Sequence, residues 1–525
     1  MLDDLDRIGP VLALAIVAGM ILIWDFLPAG KPFPASRGKP LMIGALVGPI
    51  AAAAWALSLV LRDAQQACIA LDPRALTNAP LCDGGQGTLV NGAFAFTNSV
   101  VLDDFSVFFY FLFAGIAAAI ILASQDYVKR FGDYQAEFFA LVLFASAAMT
   151  LLAASRDLIL IFVALELTSI SQYIMAALSK DERSTEAGVK YLLLGATASA
   201  VILYGMAFLF GLTGTTRLVA PPGELSIATV VAERGGEIEA GLVLSTVFLV
   251  AGLGFKMAVV PFQMWVPDVY EGAPAPVAAF LSVASKAAAF AVVLRIFFDG
   301  LPDAAVRADW ADIFAIVAAI SMTAGNVLAL VQTNIKRLFG YSSIAQAGNF
   351  MVGLAAVSAA EGGLSLGASG VLFFIATYAL TNLGAFIVII AISDRTGSDE
   401  IADYAGLFKR SPWLAAGLAL ALISLTGIPP TAGFIAKLYI FNAAVESDLV
   451  WLVVIAVLNS VISAFYYLRV TSLMFLGEPA SPEGVPAPVA LKLALTVAVA
   501  GILVVGIVPS PLLDAAKNAA SVFAG

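Results

Sequence analysis

Three lysines stand where a lysine is expensive. Lys256, Lys286 and Lys437 each lie deep inside a long apolar run, and on insertion scales a lysine at the centre of a membrane helix costs roughly 2.5–3.5 kcal/mol. A fourth, Lys190, begins four residues into another such run, where a snorkelling anchor is the alternative reading. One carboxylate, Glu166 in "VALELTS", stands alone in the run before that. Desolvation pushes a buried lysine toward the neutral amine, and a nearby carboxylate draws it back toward the ammonium. A lone carboxylate and a line of lysines can therefore accept and pass on protons, with Lys190 on the next helix as the natural partner of Glu166.

Such residues need a membrane scaffold, and composition supplies one. The 525 residues are 61% hydrophobic and 12% charged, with a mean hydropathy of +0.97. Soluble domains carry about 25% charged residues, so this is an all-α polytopic membrane protein. Apolar runs predict about fourteen spans, near 10–28, 40–61, 103–124, 135–154, 157–178, 186–212 and 239–262, then 275–299, 309–332, 335–357, 365–393, 412–442, 449–477 and 489–512. The acidic start, MLDDLDRIG, reads as leading into a retained anchor rather than a signal peptide. Of 27 basic residues, those in loops favour the side reached after odd-numbered helices, among them Lys129, Arg130, Lys180, Arg183, Lys336, Arg337, Lys409 and Arg410. By the positive-inside rule both termini face outward. Arg295 and Arg469 lie toward helix ends, where snorkelling accounts for them.

Several chemistries are excluded. The net charge of −10 argues against nucleic acid. Histidine is absent, which removes the usual haem ligand and the usual proton shuttle near neutral pH. The two cysteines, Cys68 and Cys82, share one outward loop, as a disulfide or as two unrelated thiols. They are too few for a cysteine-ligated cluster.

Two of the lysines sit beside helix breakers. Lys256 follows Gly252 and Gly254 and precedes Pro261, and Lys437 follows "GIPPTAGFIA". Broken helices at matching places in two halves mark inverted-repeat transporters. Helices 7 and 12 are five apart, which predicts two inverted five-helix repeats, helices 4–8 and 9–13. The expected divisions are 1–134 (helices 1–3, with an outward loop 62–102), 135–308, 309–488, and 489–525 (helix 14).

The stretches "LELTSISQYIMAAL", "EAGVKYLLLGATASAVILYGMAFLFGLTGTT", "GFKMAVVPFQMWVPDVYEGAPAPVAAFLSVASKAAAF", "NIKRLFGYSSIAQAG" and "GIPPTAGFIAKLYIF" resemble the antiporter-like subunits of respiratory complex I. "WVPDVYEGAPAPV" and "AFLSVASK" are similar to the N type, subunit 2 in mitochondria, rather than to its L and M relatives. The resemblance implies a proton-translocating subunit of a NADH-quinone oxidoreductase in a bacterial cell membrane, with no cofactor of its own. NAD, FMN, iron–sulfur clusters and quinone would belong to partner subunits. The expected neighbours are M- and L-type antiporter-like subunits, small K- and J-type subunits and lipid. Carried over residue by residue, Glu166 takes the helix-5 glutamate's role and Lys190 that of its helix-6 partner. Lys256 matches the lysine of broken helix 7, Lys286 the bridging lysine of helix 8, and Lys437 the lysine of broken helix 12. Gln263 stands where many relatives have a histidine, so no proton role is expected there.

On this reading Lys190 moves between Glu166 and the neighbourhood of Lys256, and repulsion drives a proton through Lys286 toward Lys437. Moving one charge against about 200 mV requires roughly 4.6 kcal/mol, which a desolvated charge pair can supply. Tyr204, Ser285, Ser342, Ser343, Tyr378, Thr381 and Asn382 are candidates to line the route. A subunit of a sodium–proton antiporter, of a membrane-bound hydrogenase or of a photosynthetic complex would reuse the same residues, and a membrane scaffold would use the lysines only to bridge neighbouring chains.

Overall fold

A computed structural model describes residues 2–26, 38–71, 93–96, 98–221, 223–357, 363–479 and 483–523. Its helices occupy all the predicted spans. We number them α1 (Gly9–Phe26), α2 (Gly38–Leu71), α3 (Asp104–Ala123), α4 (Gln135–Ala154), α5 (Leu158–Ala176), α6 (Glu182–Thr213) and α7 (Ile227–Met257). A short helix, Trp265–Gly272, follows α7. Then come α8 (Ala275–Gly300), α9 (Ala304–Ala329), α10 (Ile335–Ala355) and α11 (Gly363–Thr396). Helix α12 is in two halves, Pro412–Thr426 and Ala432–Glu446, followed by α13 (Val450–Leu476), α14 (Val489–Ile507) and α15 (Ser510–Ala520). Among the described residues, eleven helical spans are long and apolar enough to cross a membrane. Helix α10 falls outside that group because Lys336, Arg337, Gln346, Asn349 and its serines lower its hydropathy. A small hairpin, Ala93–Ala95 with Val100–Leu102, is the only sheet among the described residues, and the apolar-run pattern did not anticipate it.

Helix α8 is buried along its whole length and α11 almost so, whereas α2, α6 and α13 leave most of their surface outward. The outward residues are apolar, for example Ile159, Val163, Leu167 and Ile170 on α5 and Val454, Leu458, Val461 and Phe465 on α13. An apolar exterior around a core that holds polar side chains suits a bilayer, where helices gain nothing by hiding leucine from lipid. Backbone groups freed between helices are paired at both ends of the bundle. Isolated bridges join Val100 to Ser155 and Asp157 to Arg217 at one end, and Asn334 to Glu400 at the other.

Helices α7 and α12 are both broken. Each first half ends in a left-handed residue, Ala258 (φ 64°) and Gly427 (φ 90°), and at Gly427 the lack of a Cβ makes that conformation cheap. Helix α7 stops at Met257 rather than continuing to 262 and starts earlier than expected, at Ile227. The glycine before Lys256 serves contact as much as breakage: a Cβ on Gly252 would stand 2.8 Å from the backbone nitrogen of Ile202 on α6.

Arg295 corrects the snorkelling reading. It is fully buried, where no water could solvate its charge. Its guanidinium donates to Asp103 at 2.8 and 2.9 Å, to Asp299 at 3.1 Å and to the Ala153 carbonyl at 3.0 Å. Arg156 donates to Asp299 (2.9 Å) and Asp103 (3.3 Å), so two arginines and two aspartates neutralise one another. Asp103 also caps the first turn of α3 through the Ser106 N–H. Arg469 is exposed and donates to the Leu330 and Gln332 carbonyls beyond the end of α9. Cys68 and Cys82 lie where neither side chain is among the described residues, so the disulfide question falls outside them.

Removing one member of a buried ion cluster leaves an uncompensated charge, at a cost of about 3–5 kcal/mol. Arg295→Leu should therefore lower the thermal midpoint of the detergent-solubilised protein by several degrees, while Arg469→Leu should change it little.

Candidate functional site

Lys256 occupies the last turn of α7 and is 5% exposed. A helix C-terminus carries partial negative charge and orphan carbonyls, a favourable place for an ammonium. The Lys256 Nζ donates to the Ser169 hydroxyl and, at 3.4 Å, to the Tyr173 hydroxyl, both on α5. Glu166 lies one turn before Ser169 on the same face of α5, by the i, i+3, i+7 spacing of 166, 169 and 173. Its Oε1 is buried without a hydrogen-bond partner. The Trp265 indole N–H donates to the Phe255 carbonyl at 3.0 Å, an acceptor it shares with the Ala258 N–H.

Polar groups continue inward from Lys256. The Tyr173 ring meets Tyr191 edge-on at 4.8 Å. The Tyr191 hydroxyl donates to Gln172 Oε1 at 2.9 Å, and the Ser285 hydroxyl donates to the same oxygen at 3.2 Å. Lys286 follows directly, flanked by the π-helical turn Leu281–Ser285. Its Nζ donates to the carbonyl and hydroxyl of Ser343 on α10. The Tyr378 hydroxyl on α11 donates to that same hydroxyl at 3.3 Å. Beyond it, a cavity with room for about one water is lined by Gln346, Tyr378, Thr381, Ser424 and Lys437. The Lys437 Nζ donates to the Thr426 carbonyl at 2.9 Å and to the Ser460 hydroxyl at 3.1 Å. Lys437 sits after its break but reaches back to a carbonyl of the half-helix before it, whereas Lys256 is held by hydroxyls of α5.

Lys256, Lys286 and Lys437 are all buried, and none lies within ion-pair distance of a described carboxylate. Hydroxyls and carbonyls solvate these amines without fixing their charge. Ser285, Ser342, Ser343, Tyr378, Thr381 and Asn382 are buried in this region. Tyr204 is not: it is 60% exposed on α6 and packs against Phe208 and Phe248, so it leaves the proposed lining.

The expected Glu166–Lys190 pair is not formed. The Lys190 side chain is 43% exposed and pairs with Glu186 at 2.8 Å and Asp268 at 3.0 Å. The physical reason is local: Glu186 is four residues earlier on the same helix face, and a lysine near a helix end gains more from a wet rim than from the interior. Asp268 also accepts from Arg337 at 2.8 Å, and Arg337 donates to Glu271 at 2.9 Å. Partial burial acts to raise the Asp268 carboxyl, but the Lys190 and Arg337 side chains outweigh it and hold the group below its usual range. Gln263 lies in the turn after the α7 break with its Oε1 buried and unpartnered. Among the described residues no cluster of His, Cys, Asp or Glu suits a metal ion.

With this geometry in view, similarity to known proteins is decisive. Residues 155–463 match the family described as NADH:quinone oxidoreductase/Mrp antiporter, transmembrane. The NADH-quinone oxidoreductase subunit N of Dehalococcoides mccartyi is 45% identical over 432 residues, 81% of this chain and 87% of that one. The chain belongs to the N-subunit family of NADH-quinone oxidoreductases. A chain of respiratory complex I from Thermus thermophilus, solved with bound aureothin, is 30% identical with a TM-score of 0.72, covering 96% of this chain and 98% of that one. A chain of the Mrp complex from Dietzia sp. DQ12-45-1b shares the fold at a TM-score of 0.80 and 19% identity, over 99% and 97% of the two chains.

Sequence reasoning missed Asp268, Glu271 and Glu186, and the Ser169–Tyr173 seat of Lys256. Asp268 and Glu271 lie in "WVPDVYEG", whose i, i+3 acidic pair on a short helix was the available signal.

The folded Asp268 carboxyl lies below its unfolded value of about 3.9, so its stabilising contribution is complete above that pH and fades as the pH falls through the folded value. The carboxylate infrared band lost in Asp268→Asn should therefore persist at about pH 4 in the parent protein and convert to the protonated form only on further acidification.

Proposed function

We propose that this chain is a proton-translocating membrane subunit of a NADH-quinone oxidoreductase, coupling quinone reduction in its partner subunits to proton transfer along Glu166, Lys190, Lys256, Lys286 and Lys437. The observation that carries the reading is the line of buried polar groups from the α7 break to the α12 break, with three lysines that no carboxylate among the described residues pairs with. NAD, FMN, iron–sulfur clusters and quinone belong on this reading to the partners, and no step of the transfer is assigned to them here.

Each residue has a physical task. Glu166, beside the Ser169–Tyr173 seat, favours the ammonium form of Lys256 when its own charge is free, and loses that influence when Lys190 neutralises it. Lys286 takes the proton through the hydroxyls of Gln172's neighbours Tyr191 and Ser285. It passes the proton toward Lys437 by way of Ser343, Tyr378 and the single-water cavity. Helices 4–8 and 9–13 act as oppositely oriented units around this line, divided at 134/135, 308/309 and 488/489. The termini face outward in a bacterial cell membrane, with M-, L-, K- and J-type subunits as neighbours.

The test uses the assembled complex in sealed vesicles, without sodium. Lys256→Met should assemble and still reduce quinone in uncoupled vesicles, while protons moved per quinone fall several-fold. An unchanged ratio in a well-assembled variant would sink the relay. Glu166→Gln should lose pumping similarly, and Glu166→Asp should restore most of it, since the requirement is for charge.

A further inference from the structure

Asp268 stands where the two halves of the chain meet. One carboxylate oxygen accepts from Lys190 on α6 at 3.0 Å, and the other accepts from Arg337 on α10 at 2.8 Å. The cluster lines an open polar cavity with Arg183, Glu186 and Glu271. Meanwhile Glu166, the carboxylate nearest the seat of Lys256 along α5, keeps a buried oxygen with no hydrogen-bond partner. One mobile ammonium thus has an occupied acceptor at the rim and a vacant one in the interior.

The two acceptors belong to packed neighbours. Tyr191, adjacent to Lys190, meets Tyr173, two turns along α5 from Glu166. Tyr191 also stacks at 4.4 Å on Trp265, the first residue of the short helix that carries Asp268. Lysine is a compact charge on a flexible four-carbon stem, the kind of group that can exchange one carboxylate partner for another. A half-exposed ion pair is weak, which suits a contact that must be made and broken.

We propose that Asp268 is a positioning residue of the proton switch, competing with Glu166 for Lys190. With Lys190 held by Asp268, Glu166 is free to favour the charged form of Lys256. With Lys190 released, Glu166 is neutralised and Lys256 gives up its proton toward Lys286. The same carboxylate holds Arg337, six residues before the Ser343 that seats Lys286 on α10. Release of Asp268 therefore loosens both the switch and the helix that receives the proton. The inference rests on the relay proposed above.

In assembled complex reconstituted into vesicles, Asp268→Asn should lower protons moved per quinone to the level seen in Glu166→Gln. Asp268→Glu should recover most of the ratio. Glu271→Gln, which removes only a contact to Arg337, should stay close to the parent. The losses in Asp268→Asn and Glu166→Gln should be strongly non-additive, as for two acceptors of one lysine. A parent-like ratio in Asp268→Asn, a failure of Asp268→Glu to rescue, an equal loss in Glu271→Gln or simple additivity would each overturn the proposal. Asp268→Ser carries the same reading should the amide not assemble. If Lys256→Met and Glu166→Gln also pump normally, the relay itself falls; if they lose pumping and Asp268→Asn does not, only the role of Asp268 falls.

Discussion

A lysine amine buried with no carboxylate among the described residues to pair with it is the constraint around which this bundle is arranged. Lys286 lies in the most enclosed helix, and Lys256 and Lys437 lie at helix breaks that a membrane would otherwise penalise. The breaks are the solution as well as the cost. Each ends a half-helix inside protein, and the freed carbonyls and nearby hydroxyls give an amine enough polar contact to remain there. A carboxylate in contact would stabilise the charged form more strongly, but it would also hold the proton in place. Hydroxyls and carbonyls tolerate both charge states.

The buried arginines show the opposite arrangement. Arg295 and Arg156 share Asp103 and Asp299 in a closed, neutral set that links α3, α5 and α8 through several hydrogen bonds. Such a cluster fixes geometry and has little reason to change charge. The molecule thus carries intramembrane charge in two ways: paired in an ion cluster where helices are locked together, and as lysine amines among hydroxyls and carbonyls on the line proposed for proton transfer.

The helical membrane fold was legible in the sequence as apolar runs, and the lysines and the two breaks as local departures from them. Which groups meet which lysine was not. Ser169 and Tyr173 are ordinary α5 residues until packing brings α7 against them, and Arg295 reads as a helix-end residue until Asp103, almost two hundred positions away, is placed beside it. The Glu166–Lys190 pair was inferred from adjacency of helices. It failed because Glu186 and Asp268 offer Lys190 a wetter site closer to its own helix end. Tyr204 failed for a simpler reason: about half a turn of rotation sends a tyrosine out of the bundle, and an almost wholly apolar helix gives no periodicity from which to read that rotation.

The placement of the lysines about their breaks makes the two halves mechanically unequal. Lys256 is built into the end of its half-helix and rides with it. Lys437 belongs to the half beyond its gap and is moored across the gap to the Thr426 carbonyl. Widening the gap in α12 lengthens that mooring directly, whereas the contacts of Lys256 run sideways to Ser169 and Tyr173 on α5 and do not cross its own break. The second break is thus the one that its own lysine spans.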